Sequence, residues 1–145
     1  MAVLSDDVYS ITRIRKFVLL RLDSALSAGG ATYDFPIITV EHVLPQSPPA
    51  TSQWRQWFTD DQRVTWLHRL ANLVLLTRRK NSEASNYDFA VKKEKYFRTK
   101  SGVVPFVLTQ QTIAEDEWRP AQLEVRQEAL LTALEKEWRL GAALA

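Results

Sequence analysis

The sequence contains no cysteine, two histidines and no run of about 18 consecutive apolar residues. Without cysteine the chain can form no disulfide, no Cys-ligated zinc site and no thiolate nucleophile, and two histidines do not complete an ordinary structural zinc site. The missing apolar run excludes a membrane-spanning helix, and the N-terminus lacks the basic-then-apolar order of a secretion signal. We therefore expect a cytoplasmic protein without membrane contact, and any metal it binds should be a hard ion that prefers oxygen ligands.

The length and composition predict one domain over residues 1–145. With 145 residues, 46% hydrophobic and 25% charged, the chain can bury one hydrophobic core. It has no phosphate-binding G-x-x-x-x-G-K-[ST] loop, so a domain that hydrolyses nucleotide or senses DNA modification would lie elsewhere. Because a helix is predicted from the first residues onward, we expect this domain to be excised from a larger multidomain protein.

Basic residues are concentrated in the middle of the chain. Residues 63–100 contain ten Lys or Arg and three Asp or Glu, whereas the remainder contains nine basic and fourteen acidic residues. A basic centre between acidic flanks favours contact with a polyanion, because Lys and Arg displace counterions from phosphates. The alternative is a solvated helix face that binds no ligand.

Hydrophobic periodicity predicts helices near both ends of the chain. Apolar residues recur at helical spacing from about Asp6 to Ala28, and Gly29 should end that helix. A last long helix is predicted from Leu123 to Trp138, with Pro120 near its first turn. We expect the apolar faces of both helices to pack into the core.

Two short strands are predicted between these helices. "FPIITVEHVL" (residues 35–44) and "LVLLT" (residues 73–77) have the composition of strands, and a proline-rich loop follows the first of them. "VVPFVL" is ambiguous between a strand and an extended segment. The strands predict a two-stranded unit inserted among helices.

Two further helices are predicted from capping signals. Thr59 and Gln62 form a capping-box pattern, which should start a helix that runs to about Leu70. Ser85 or Asn86 is expected to cap a helix that reaches the "KKEKYF" segment. The predicted fold class is therefore α+β, with a two-stranded hairpin and a following helix embedded among packing helices.

Three polar residues stand at the ends of these predicted elements. His42 follows Glu41 in "VEHVLPQS", and "HRLANLVLLTRRKNSEASNYDFAVKK" places Asn72 before and Asn81 after the second strand. This order of His, Asn and Asn in strand, strand and helix contexts resembles the HNH, or ββα-metal, nuclease motif. The chain as a whole is similar to the C-terminal nuclease domain of GmrSD-type restriction endonucleases, including phosphorothioate-sensing phage-defence relatives. The similarity continues to "EWRPAQLEVRQEALLTALEKEW" and departs at Ala71, where such domains usually have glycine.

The resemblance implies a metal-dependent endonuclease that nicks DNA, with one Mg²⁺ or Mn²⁺ per site, as the effector of an antiviral restriction system. Its implied partners are DNA and an N-terminal sensor or NTPase domain of the parent protein, and oligomerisation through such missing domains stays open. Two alternatives also stay open. The same metal chemistry cleaves RNA, and a catalytically silent module could keep the fold and bind DNA.

The HNH resemblance assigns roles to four residues. As a neutral imidazole, His42 can take a proton from water, provided that its far nitrogen is held by a carbonyl or amide; in HNH domains this is usually a backbone carbonyl. Glu41 and Asn81 offer oxygen ligands suited to Mg²⁺. Asn72 completes the catalytic motif as a structural residue that ties the two strands together by hydrogen bonds.

The predicted DNA contacts are non-specific. The side chains expected to bind the DNA backbone are those of Arg78, Arg79, Lys80, Lys92 and Lys93. His68 is expected either to donate to a phosphate or to pack beside Trp66, and Gln46 either to orient its loop or to contact the scissile phosphate. Because contacts to phosphate position a protein without reading bases, none of these residues should specify sequence.

Overall fold

The fold is described from a computed structural model, for residues 6–11, 14–27 and 33–144, with side chains up to residue 138. Two strands and seven α-helices lie within this part of the chain. Their bounds are α1 (Arg15–Leu26), β1 (Thr39–His42), α2 (Gln53–Trp57), α3 (Asp60–Trp66), β2 (Leu73–Leu76), α4 (Ser82–Ser85), α5 (Phe89–Val91), α6 (Val107–Ile113) and α7 (Pro120–Leu144). A 3-10 turn, Leu70–Asn72, precedes β2, and a π-helical turn, Lys92–Tyr96, follows α5.

The two strands form an antiparallel pair, in which Thr39 faces Leu76 and His42 faces Leu73. All four residues of β2 are buried, as the apolar run of the sequence predicts. The first strand is shorter than residues 35–44 because β2 offers only four residues for pairing. This confirms the α+β class, with a two-stranded hairpin that is compatible with a ββα core.

The hairpin is covered on both faces. Val74 and Leu76 belong to a core cluster with Trp54, Phe89 and Trp118. On the other face, residues of β1 and β2 pack against apolar side chains of α1, α6 and α7, namely Leu19, Leu22, Leu108, Leu130 and Leu134. The alternation of side chains along a strand explains how so short a hairpin anchors two clusters.

Local signals set some helix ends and tertiary contacts set others. The capping box is confirmed, since Thr59 Oγ1 accepts from the Gln62 N–H at 3.1 Å and Gln62 Oε1 accepts from the Thr59 N–H at 2.9 Å. The helix ends at Trp66 rather than near Leu70, because the chain tightens into the 3-10 turn. In the described part, no residue other than glycine has positive φ, so the backbone at Ala71 does not require glycine.

Other boundaries differ from the prediction. The first helix begins at Arg15 rather than at Asp6, since residues 6–11 form turns in which the Tyr9 N–H donates to the His68 carbonyl. Residues 28–32, where that helix was expected to stop, lie outside the described part. "VVPFVL" is extended only as far as Phe106 and then begins α6. Pro120 starts the last helix, as predicted. None of the helices described is both long and apolar enough to cross a membrane.

Candidate active site

A cavity of about 290 Å³ lies where β1 ends. It is formed by the end of β1 with the loop that follows, by the basic turn after β2, and by α4 with the residue after it. The lining residues are Glu41, His42, Pro45, Gln46, Ser47, Lys80, Ser82, Ser85 and Asn86. Because Glu41 and His42 are consecutive in a strand, their side chains leave opposite faces of the hairpin and have different hydrogen-bond partners, although both residues line the cavity.

The Glu41 carboxylate is held by three hydrogen bonds and is almost fully buried. Its Oε1 accepts from the His42 N–H at 2.8 Å, and its Oε2 accepts from Tyr96 OH at 2.6 Å and from Ser85 Oγ at 2.9 Å. Burial and the hydrogen bond to Glu41 raise the pKa of Tyr96 to about 12, so Tyr96 keeps its proton and remains a donor at neutral pH. The carboxylate is thus fixed in position, and Oε1 retains a free lone pair.

Lys92 lies beneath this part of the site, with no exposed surface. Its ammonium donates to the carbonyls of His42 at 2.8 Å and Val43 at 2.9 Å. Burial lowers its pKa to about 7, and the negative charge of Glu41 opposes that shift. The prediction that Lys92 contacts DNA is therefore wrong, because this side chain is buried and bonded to two carbonyls at the end of β1.

His42 is also buried, and two rings, those of Tyr9 and His68, contact its imidazole. Its Nε2 lies 2.9 Å from His68 Nδ1, and the Tyr9 ring centroid lies 4.1 Å from its own. Burial, followed by the charges of His68 and Lys80, lowers the pKa of His42 to about 2. His42 is therefore neutral at physiological pH, as a general base must be before it takes a proton, although a pKa this far below neutral leaves the imidazole a weak base. The far nitrogen, which was expected to meet a backbone carbonyl or an amide, meets His68 instead.

Asn72 is fully buried and does not line the cavity. Its Oδ1 accepts from the Leu44 N–H at 2.7 Å and from Trp118 Nε1 at 3.1 Å. Its Nδ2 donates to the carbonyls of Leu44 at 3.0 Å and Leu67 at 2.9 Å. These bonds join the loop after β1 to the segment before β2, so the task of Asn72 is structural and not a contact with a reacting atom.

Asn81 is exposed and lies outside the residues that line the cavity. Its Oδ1 accepts from the N–H groups of Glu83 at 3.0 Å and Ala84 at 3.1 Å, and so caps α4. The structure therefore does not place Asn81 as a ligand beside Glu41, since the start of the helix occupies its amide oxygen. Ser85 or Asn86 was expected to cap the helix that reaches the "KKEKYF" segment, but the residue at the N-cap position of α5 is Asp88, and Ser85 and Asn86 line the cavity instead.

Three residues of the site were not predicted as such from the sequence: Ser85 and Tyr96, which bond to Glu41, and Asn86, which lines the cavity. A signal was available for Ser85 and Asn86, because an Asn before "SEA" is a common N-cap and moves the following polar residues onto one turn of helix. Tyr96 carries no such signal. It reaches Glu41 only because the chain after α5 winds as a π-helix.

The exposed basic residues fall into two groups. Lys80 lines the cavity, and its Nζ contacts the Tyr9 hydroxyl. Arg78 and Arg79 adjoin it on the exposed turn, where Arg78 also donates to the Tyr96 carbonyl at 3.3 Å. Lys93 is half-buried and donates to the Glu115 carbonyl at 2.7 Å, away from the residues that form the cavity. Lys80 is therefore the basic side chain placed to meet a phosphate at this site.

The donors in the cavity fit a weakly held divalent ion rather than a closed metal cage. Within the described residues, no group of three or more His, Cys, Asp or Glu side chains is placed to hold a metal. Glu41 offers a carboxylate, and Gln46 and Asn86 offer amide oxygens. Mg²⁺ typically binds to one or two carboxylates together with waters and substrate phosphates, which is compatible with this set.

The comparisons with known proteins agree with the sequence resemblance. The family model described as GmrSD restriction endonucleases, C-terminal domain, matches residues 2–133 of the 145. No curated protein and no solved structure gives a significant match. Since the family model covers most of the chain, the predicted family is confirmed. The chain belongs to the GmrSD restriction endonuclease C-terminal domain family, which is a family of nucleases.

Proposed function

We propose that this domain is an HNH-type endonuclease that nicks DNA with the help of one divalent ion, as the effector of an antiviral restriction system. The observation that supports this most directly is the pairing of a buried, neutral His42 with a fixed Glu41 carboxylate at the end of a two-stranded hairpin. The polar cavity beside them contains an exposed lysine. Membership of a restriction endonuclease family supports DNA as the substrate.

In this mechanism, His42 accepts a proton from water as the water oxygen attacks phosphorus. The bond between phosphorus and the 3′-oxygen then breaks, and the leaving oxygen takes a proton from solvent. Lys80 binds a phosphate oxygen beside the cavity, and Arg78 and Arg79 contact the neighbouring backbone without reading bases. The hydrogen bonds of Glu41 keep its carboxylate in place throughout.

The oxygen atoms of Glu41, Gln46 and Asn86 are the groups that would hold Mg²⁺ or Mn²⁺. When bound, such an ion neutralises charge on the phosphate and on the leaving oxygen. One carboxylate would leave half of the ion's positive charge uncompensated, which favours binding to the anionic substrate. A single site of this kind acts on one strand, which is why the proposed product is a nick.

The test is the conversion of supercoiled plasmid to open circle, with and without Mg²⁺ or Mn²⁺. His42→Ala should reduce the nicking rate by about 10²–10⁴-fold, the usual loss when a general base is removed. Lys136→Gln, an exposed change on α7, is the matched control and should nick at the wild-type rate. Undiminished nicking by a folded His42→Ala variant would place the active site elsewhere.

Assays with DNA and RNA in parallel distinguish the two alternative functions, an RNA-directed nuclease and a silent DNA-binding module. If RNA is cut and DNA is not, the chain is an RNA-directed nuclease with the same site. If plasmid is retarded in a gel but never nicked with either metal, the chain is a silent DNA-binding module. EDTA should stop nicking by the wild type, because the charge on the phosphate is then no longer neutralised.

A further inference from the structure

Two imidazoles meet at the candidate site, and one hydrogen atom lies between them. His42 Nε2 and His68 Nδ1 are 2.9 Å apart, with ring centroids 5.0 Å apart and ring planes tilted by 59°. A neutral imidazole has one donor and one acceptor nitrogen, so one of these two rings donates and the other accepts. The direction of this bond decides which nitrogen of His42 keeps a lone pair.

We propose that His68 is a positioning residue that accepts a hydrogen bond from His42 Nε2 and thereby leaves His42 Nδ1 as the nitrogen that takes the proton from water. This rests on the proposed function, in which His42 is the general base. The bond that a histidine makes through one ring nitrogen sets the tautomer of the ring. In this chain the hydrogen-bond partner of His42 Nε2 is a side chain 26 residues away in the sequence.

His68 is itself held firmly enough to serve as a fixed acceptor. The Tyr9 ring stacks on it, with centroids 5.2 Å apart and planes within 8°. The Tyr9 N–H donates to the His68 carbonyl at 3.3 Å. Arg15 in turn donates to the Tyr9 carbonyl at 3.2 Å and lies over the Tyr9 ring at 4.2 Å. The segment of residues 6–11 therefore fixes His68 from outside the hairpin.

The proposed arrangement balances the protons of the reaction. Before attack, His42 carries hydrogen on Nε2 and His68 carries hydrogen on its own Nε2. When water is deprotonated, its proton goes to His42 Nδ1 and the hydroxide oxygen bonds to phosphorus. The resulting imidazolium keeps its hydrogen bond to the neutral ring of His68, which accepts through Nδ1.

Two amide substitutions at position 68 test this directly. In His68→Asn, the side-chain oxygen can occupy the place of Nδ1, so the acceptor is retained. In His68→Gln, the oxygen lies one carbon further out, so the acceptor at that place is lost. His68→Phe keeps a ring beside Tyr9 but has no acceptor at all. Thermal unfolding of each variant establishes that it is folded.

The first measurement is the ¹⁵N NMR spectrum of the imidazole rings, which identifies the tautomer of His42 without substrate or metal. The wild type and His68→Asn should show hydrogen on Nε2 of His42, whereas His68→Gln and His68→Phe should show a mixture of tautomers. The second measurement is the kinetics of nicking. His68→Gln and His68→Phe should lower kcat by about 10- to 100-fold, which is the range for partners that orient functional histidines. KM should stay near the wild-type value.

Hydrogen on Nδ1 of His42 in the wild type would overturn the proposal, because the bond would then run from His68 to His42. Unchanged kcat in folded His68→Gln and His68→Phe would also overturn it. A failure of the proposed function is distinguishable. A wild type that cuts neither DNA nor RNA would refute the nuclease proposal, while the tautomer spectra would still decide whether His68 orients His42.

Discussion

Glu41 and His42 lie on opposite faces of the hairpin at the end of β1, and they are held in position in different ways. On one face, Glu41 is fixed by Ser85 and Tyr96, which lie within 11 residues of each other and follow β2 closely. On the other face, His42 is surrounded by Tyr9, His68 and Lys80, which come from three separate parts of the chain. The carboxylate thus depends on the ββα unit itself, whereas the imidazole depends on how the rest of the domain packs around it.

This difference suggests different sensitivities. Changes around Glu41 remove hydrogen bonds from buried groups, so they should appear first as lost stability. Changes around His42 alter the orientation of a neutral ring, so they should appear first in the rate of reaction. The following predictions test that separation, from the largest expected effect to the smallest.

Lys92→Ala should produce the largest loss of stability, because it leaves the buried carbonyls of His42 and Val43 without their shared donor. Unsatisfied buried acceptors predict a decrease of about 3 kcal/mol in the free energy of unfolding, measured by urea denaturation. Lys95→Ala, an exposed change in the same turn, should stay within about 0.5 kcal/mol of the wild type. Equal effects of the two changes would mean that the buried ammonium does not support the end of β1.

Two Tyr→Phe changes, one on each face of the hairpin, remove the same hydroxyl group and therefore allow the two faces to be compared. Tyr96→Phe removes the hydroxyl that donates to Glu41 and accepts from the Asn81 N–H, and should lower the free energy of unfolding by about 2 kcal/mol. Tyr9→Phe removes a hydroxyl that contacts the exposed Lys80, and should change it by less than about 0.5 kcal/mol. Similar losses from both would remove the distinction between the faces.

The smallest expected effect is on DNA affinity, where substitution of Lys80 should differ from substitution of Lys93. Lys80→Gln should weaken binding to all sequences alike and reduce the slope of log K against log [salt] by about 1, as expected for one lost phosphate contact. Lys93→Gln should leave the slope unchanged, since its ammonium is bonded to the Glu115 carbonyl. Filter binding at several salt concentrations measures both, and equal slopes for wild type and Lys80→Gln would exclude Lys80 from the interface.

Much of the fold was predictable because its signals are local. The Thr59 capping box, the buried strand at Leu73 and the start of the last helix at Pro120 each depend on a few adjacent residues. The pairing of Glu41 with His42 could also be recognised, since they are consecutive and their contrast in surroundings follows from alternation along a strand.

The parts of the site that could not be predicted depend on geometry without a local signal. Lys92 looks like any lysine of a basic segment, and its burial depends on two carbonyls at the end of β1, which are distant in sequence. The contact between His42 and His68 joins residues far apart in sequence, so no spacing rule reveals it. Asn81 was ambiguous between a cap and a ligand, and the structure uses it as a cap. The single-domain assignment, the metal and the cytoplasmic location stay predictions.

The antiparallel pairing of His42 with Leu73 has a consequence for how the site assembles. The strands are joined by residues 43–72 rather than by a tight turn, so closing this loop costs roughly 2 kcal/mol more chain entropy than a two-residue turn. Contacts so distant in sequence form slowly, because the loop must close before they stabilise anything. During refolding, the far-ultraviolet circular dichroism signal of the helices should therefore return before nicking activity does. The candidate site would be among the last parts of the domain to form, which delays its activity until the surrounding helices are in place.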